Sequence, residues 1–426
     1  MRIKQIEEMS KSSSSTNRAV KSSKSGTSAL KSFLLSLGPG IIIAAVVFGP
    51  SKMTITSKLG SQYGYSLLWI VVVAMFFMTI FTIMGARIGV ATKHSLLTTI
   101  RNKWGKLAAV AVGIGIFIVT TSFQAGNSIG VGIAIAEATG TKPLIWIIIF
   151  NLIGMALLFF RGFYRVLEKL MIGLVALMLF AFLTTFFLIR PDFASIAGGF
   201  VPRLAPGSLG LVIAFFASSF SMVAAFYQSY LVQERIKVNP EIEEHNSNSI
   251  TGIFILGLMS AIIMICAAAI LHKEGINVAS ASDMSRALVP LFGEHASTLF
   301  LIGLFGASFS SLVGNATIGG TLMADSLGQD SDLNSARVKV FIALVMVFGA
   351  IIAIRFGRLP LELIVFAQSV TIFLVPFIGL ALYAVSNDEK IMGQYKNSPA
   401  VKVIGAIGLL ILLLLAASNV NELFLK

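Results

Sequence analysis

The sequence predicts an all-α polytopic membrane protein of about eleven transmembrane helices, ten of them in two inverted five-helix repeats. Three observations predict it. Of the 426 residues, 56% are hydrophobic. These residues gather into runs such as 66–90 and 401–417, on the scale of the roughly 20 helical residues that cross a hydrocarbon core. The first and sixth runs also carry breaking or polar residues at mid-membrane, five runs apart.

The first span, 37–59, runs in through Ile41, Ile42 and Ile43 and is interrupted at Phe48-Gly49-Pro50-Ser51-Lys52. Backbone that leaves a helix inside a bilayer must find partners in protein or in a water-filled cavity. In transporters such breaks mark substrate sites, and a lysine at membrane depth reads as functional. The second span is 66–90, and the third, 107–136, is long and glycine-rich. The fourth, 144–160, and the fifth, 166–189, flank a loop carrying Arg161, Arg165 and Lys169. The sixth, 208–232, holds Ser218, Ser219 and Ser221 at its centre, with Gln228 and Ser229 further along. It has no Gly or Pro there, so its unwinding is expected from position and serines alone. The seventh span is 250–271, and the eighth, 298–323, is rich in small residues. The ninth is 338–354, the tenth 361–385 and the eleventh 401–417. The organisation expected is a tail (1–36), a first repeat (37–190), a second repeat (208–385) and a loop with the last helix (386–426).

The net charge is +13, and residues 1–36 hold seven Lys/Arg against two Glu. That Ser-rich stretch is expected to be a disordered tail drawn to anionic headgroups rather than a signal peptide, because no apolar core sits near its start. Lys/Arg bias in alternate loops (Arg87, Lys93, Arg101, Lys103 and Lys106 in the second-to-third) places the N-terminus in the cytoplasm of a multi-pass cell-membrane protein. No basic stripe is interleaved with aromatics, so nucleic acid is not an expected partner. No nucleotide loop, nucleophile elbow or metal-hydrolase motif is present, so no enzyme and no cofactor are expected. The single cysteine, Cys266, reads as packing. His94, His245, His272 and His295 fall in loops or span ends without metal-pair spacing, so no metal-ligating set is expected. The expected partners are a small ionic substrate, the lipid bilayer and a coupling proton or sodium ion, and the chain is expected to act as a monomer.

Several stretches resemble the NRAMP metal-ion transporters, a family with the LeuT fold. Leu37-Gly38-Pro39-Gly40 is similar to the family's opening, and Gly60-Ser61-Gln62-Tyr63-Gly64-Tyr65-Ser66-Leu67-Leu68-Trp69 to its GAQFGYxLLW. Ala86-Arg87-Ile88-Gly89-Val90-Ala91-Thr92 resembles ARLGIVTG, and Arg161-Gly162-Phe163 with Leu167-Glu168 resembles GFRRLE. Phe200-Val201-Pro202-Arg203-Leu204, Leu231-Val232-Gln233 and Met392-Gly393 are similar in place and kind. The resemblance covers most of 36–400 and implies the fold and alternating access. It also implies a metal site, and there the chain departs. The family's DPGN reads Gly49-Pro50-Ser51-Lys52 here. Aligned on Leu231-Val232-Gln233, the family's Met ligand falls on Ser221, its carbonyl-giving residue on Ser218, and its two histidines on Val223 and Gln228. Its proton-path acids fall on Gln124 and Asn127, while Gln368 matches.

The substitutions move the formal charge of the first-span motif from −1 to +1. A lysine ammonium offers three donors and no acceptor, whereas Mn²⁺ or Fe²⁺ needs lone-pair donors. Helix N-termini, Lys52 and the hydroxyls of Ser51, Ser218 and Ser221 would instead suit a small anion such as bicarbonate or a carboxylate. The leading expectation is therefore a secondary-active transporter of a small anion. Its substrate-binding residues would be Gly49, Pro50, Ser51, Lys52, Ser218 and Ser221, with Gln124, Asn127, Gln228 and Gln368 as polar relay or supporting residues. Divalent metal transport of the Mg/Mn type is the alternative that the family implies, and a non-transporting sensor is a second.

Overall fold

The computed structural model describes residues 48–159, 161–238, 247–329, 331–356 and 360–424. The expected tail and the opening half of the first span lie outside them. The long helices are numbered in chain order. They are α1 (Pro50–Tyr63), α2 (Trp69–Ala91), α3 (Leu96–Thr139), α4 (Pro143–Leu157), α5 (Arg161–Ile189), α6 (Leu209–Ser219) and α7 (Met222–Val238). They continue with α8 (Ser247–Ala267), α9 (Ala296–Ser326), α10 (Ala336–Phe356), α11 (Pro360–Thr371), α12 (Val375–Ser386) and α13 (Pro399–Phe424). By length and composition seven helical stretches among the described residues can cross a membrane, eight with α11 and α12 taken as one bent span. Helix α4 and the Gly173–Ile189 part of α5 are shorter apolar helices. Each of the eleven expected spans thus has helix at its place among the described residues.

Three local features shape the bundle. Within α3, Gly105 has φ 88° and ψ 169°, a conformation open mainly to glycine. It divides a first stretch, Leu96 to Trp104, from the spanning part, as the expected start at 107 implies. The sixth span is broken: α6 ends at Ser219, Phe220 has φ −89° and ψ 60°, and α7 begins at Met222. Ser221 explains the restart without Gly or Pro, because its Oγ accepts from Ala224 N at 3.3 Å, as an N-cap serine does. Phe220 fills the gap against Phe77 and Phe81 on α2, with ring centroids 5.8 and 5.3 Å away. The tenth span, expected as one run over 361–385, bends by 41° between α11 and α12. Pro376, near the start of α12, is the local cause.

Helices α3 and α9 share the most extensive interface, and α2 packs on α7. The α2–α7 crossing is close. A Cβ at Gly89 would lie 2.6 Å from Ser229 O, and one at Gly85 would fall onto Ala225 O. Four residues separate these glycines, the spacing that lets two membrane helices touch backbone to backbone. Cys266 on α8 is fully buried, its Sγ 3.6 Å from Phe182 O.

Candidate functional site

Helix α1 starts where the sequence breaks. Gly49 caps it in an extended conformation, φ −100° and ψ −173°, and Pro50 takes the first helical position, where its missing N–H costs nothing. Lys52 N donates to Gly49 O at 3.1 Å. Pro50 faces α3 and α9: a Cβ at Gly130 would come within 2.6 Å of Pro50 Cβ. The start of α1, at Gly49, and the break at Phe220-Ser221 between α6 and α7 meet around one small cavity of about 40 Å³. That is room for a small ion or a few waters.

Gly49, Ser51, Ser218, Ser221, Asn127 and Gln368 line this cavity, together with Asn315, Phe123, Val223, Ala224 and Ile318. No ionisable side chain is among the lining residues. Of the expected site residues, Pro50, Lys52, Gln124 and Gln228 are not in the lining. Pro50 is spent on the α3–α9 wall, and Gln228 is fully buried on α7 near Gly85. Gln124 is buried one layer behind the cavity, where its Oε1 accepts from Asn315 Nδ2 at 3.2 Å.

Lys52 departs furthest from expectation. Its side chain is fully buried, yet it points away from the cavity. Nζ hydrogen-bonds Ser219 Oγ and sits 4.3 Å from the centroid of the Phe215 ring on α6. The reason is helical geometry: successive residues are rotated by about 100°. Ser51 therefore faces the cavity while Lys52 faces the neighbouring helix.

The hydrogen bonds fix what the cavity can offer. Ser218 Oγ donates to Phe215 O at 3.0 Å, so its oxygen can only accept from the cavity side. Asn315 Nδ2 donates to Thr120 O at 2.7 Å and to Gln124 Oε1. Both amide hydrogens are thus spent on α3, and the polar atom left to Asn315 is its oxygen. Gln368 Nε2 donates to Ser51 Oγ at 2.8 Å, tying α11 to α1. About two turns along the same two helices, Lys58 pairs with Glu362. Ser51 and Ser221 each accept a hydrogen bond and keep a rotatable hydroxyl hydrogen. Asn127 Oδ1 would lie 3.3 Å from a Cβ at Gly49. One turn further along α7 and α9, at Tyr227 and Thr321, a larger space of about 1000 Å³ begins.

Sequence reasoning missed Asn315. The available signal was the polar stripe Ser308, Ser311 and Asn315 on the eighth span, at helical spacing and all buried.

The family model described as natural resistance-associated macrophage protein-like (Nramp) matches residues 40–421. The chain belongs to the Nramp family. Among its Nramp relatives, a protein named divalent metal cation transporter MntH from Deinococcus radiodurans is 28% identical over 397 residues, covering 89% of this chain and 88% of the relative. The protein of the same name from Bacillus subtilis is 26% identical over 394 residues, covering 90% of each. A crystal structure of the Eremococcus coleocola manganese transporter superposes with a TM-score of 0.73 at 20% identity, over 94% of this chain and 89% of that one. Mhp1, a nucleobase-cation-symport-1 family transporter, gives 0.52 at 13% identity, over 92% and 94%. Among the described residues the Nramp chain is thus a helical membrane transporter with the LeuT-like fold that the resemblance implies, its sixth span broken at Phe220 and its α1 starting at Pro50.

Proposed function

We propose that this Nramp protein carries a small, hard divalent cation of the Mg²⁺ or Mn²⁺ kind by alternating access around the cavity between Gly49 and Ser221. The observation that carries this reading is the direction of the cavity's fixed hydrogen bonds. Asn315 has only an oxygen left to offer, and Ser218 has only lone pairs. Neutral oxygen donors with no thiolate, thioether or imidazole among them suit hard cations. Without a carboxylate, the ion keeps part of its water shell, as Mg²⁺ does in protein sites. The names of the relatives, divalent metal cation and manganese transporters, support the same substrate class. The anion reading rested on Lys52 as the chief donor, and its Nζ is turned to Ser219 and Phe215 instead.

Uptake into proteoliposomes of Mn²⁺, Mg²⁺ and bicarbonate, measured in parallel, tests the reading. Mn²⁺ or Mg²⁺ should enter and should compete with each other. Asn315→Leu, which removes the oriented oxygen at similar volume, should weaken cation uptake at least tenfold while the protein stays monodisperse. Bicarbonate uptake without metal uptake would overturn the proposal, as would an Asn315→Leu protein that transports normally.

A further inference from the structure

The larger space lies toward one membrane face. Helix α2 crosses the membrane from Trp69 to Ala91. Beyond its end, Gln233 of α7 donates to Thr92 O, and both residues border the larger space that begins one turn from the cavity. The start of α2, at Trp69, lies a short turn beyond the end of α1 at Tyr63. Alternating access needs a second route toward that opposite face, where α1 runs beside α11. Polar links join these two helices at both ends of an antiparallel seam. At the cavity, Gln368 Nε2 donates to Ser51 Oγ at 2.8 Å. Seven residues on along α1 and six back along α11, about 10 Å away by helical rise, Lys58 pairs with Glu362. Glu362 is the one carboxylate on either helix and stands in the first turn of α11. Its side chain is 60% exposed and that of Lys58 only 5%, so the acid sits at the mouth of the seam and the lysine within it. Thr54 lies between the two links, three residues after Ser51 and four before Lys58, on the same helical stripe. Its Oγ1 is buried with no hydrogen-bond partner among the described residues, and an ion or water passing along the seam would supply one.

We propose that Glu362 captures the cation at the mouth of this seam, and that Lys58 is a tethered stand-in for the ion that bars monovalent cations from the route. The inference rests on the cation reading above. In the closed seam the Lys58 ammonium occupies the Glu362 carboxylate, and an arriving ion must displace it. At a given distance a divalent ion attracts a carboxylate about twice as strongly as an ammonium does. Sodium and potassium have no such advantage in charge. They also compete from solution with an ammonium held beside its partner, which is present at a high effective concentration. Only a divalent ion therefore wins the carboxylate. Displacement frees Lys58 from α11 and leaves the Ser51–Gln368 bond as the last link between the two helices before the cavity. The pair adds little as a brace, because one partner is largely in solvent.

The test is Mn²⁺ uptake by the full chain in proteoliposomes at constant ionic strength, with choline or potassium as the external monovalent cation. In the wild type, KM for Mn²⁺ should agree within twofold between the two salts. In Lys58→Met, which leaves the carboxylate without its ammonium, potassium should raise KM at least fivefold over choline. Lys58→Arg, which keeps the charge, should behave as the wild type. Glu362→Gln should raise KM at least tenfold in both salts with a smaller effect on the maximal rate, and adding Lys58→Met to it should bring no potassium effect. A pair that only braces the helices would give Lys58→Met and Glu362→Gln the same phenotype in both salts, and that outcome overturns the proposal. So does a wild type as sensitive to potassium as Lys58→Met. Glu362→Gln alters a largely exposed side chain, so an unchanged KM there overturns the proposal even where Lys58→Met fails to assemble. Absence of Mn²⁺ entry in the wild type would instead overturn the cation reading, a failure visible before any variant is compared.

Discussion

Gly85→Leu is expected to leave little or no correctly assembled protein in the membrane. A side chain at this position meets the Ala225 carbonyl of α7, with Gln228 Cβ next at 3.5 Å. The obstacle is backbone, so no rotamer change makes room. One turn on, Gly89 is held as tightly, with Ser229 O at 2.6 Å and Val232 Cβ at 2.8 Å from its virtual Cβ. The two helices therefore cannot slide to share the strain. Overpacking in a core costs about 1–3 kcal/mol where side chains can yield, and here the cost should reach or exceed the top of that range. The damage also reaches the site, because α7 carries Val223 and Ala224 of the cavity wall just before the crossing. Monodisperse yield on size exclusion should drop at least tenfold. Gly85→Ala should be intermediate, and Gly173→Ala, with nothing within 4 Å of its virtual Cβ, should match the wild type. A well-behaved Gly85→Leu protein would mean that the α2–α7 contact is not a tight crossing.

Gly49→Asp should raise Mn²⁺ affinity at least tenfold, a change of about 1.4 kcal/mol. The backbone permits it, since φ −100° and ψ −173° is extended chain that any residue adopts. The new Cβ would meet Ser311 Oγ at 3.0 Å and Asn127 Oδ1 at 3.3 Å, so the serine must turn by a few tenths of an ångström. The carboxylate then stands at the edge of a cavity whose fixed atoms are already acceptors. At about 4 Å and an effective dielectric near 20, one negative charge attracts a divalent ion by about 8 kcal/mol before desolvation. Loss of water from both groups and attraction of the acid to Lys52 should consume most of that. Equilibrium dialysis or calorimetry with Mn²⁺ measures the remainder. Unchanged or weaker Mn²⁺ binding in a folded Gly49→Asp protein would count against a cation in this cavity.

Most of the fold was legible because hydropathy and helix length are properties of single segments. The second to eleventh expected spans all carry helix, and Gly49-Pro50 falls where α1 begins. The sixth-span break was legible only in part. Its signal is a serine that caps the following helix, and serines in membrane helices have several other uses. The bend in the tenth span had a visible marker, Pro376, that hydropathy windows do not weigh. The site was harder to read. Sequence places Lys52 beside the break, but which neighbour a side chain meets depends on helix rotation against a partner distant in the chain. Ser51 and Lys52 are adjacent in sequence, yet they bond Gln368 and Ser219 respectively. Asn315 is similar: its value to the cavity comes from two hydrogen bonds to α3, which no spacing rule anticipates.

The burial of Cys266 has a practical consequence for following the protein's motions. The chain holds one thiol, and that thiol is shut between α8 and α5. Maleimide reagents that cannot enter a packed interior should leave the native protein unlabelled. A cysteine introduced at Tyr227, beside the larger space, would then report alone, with no need to strip the background first. Its labelling rate with and without Mn²⁺ would follow the opening of that passage one turn below the cavity.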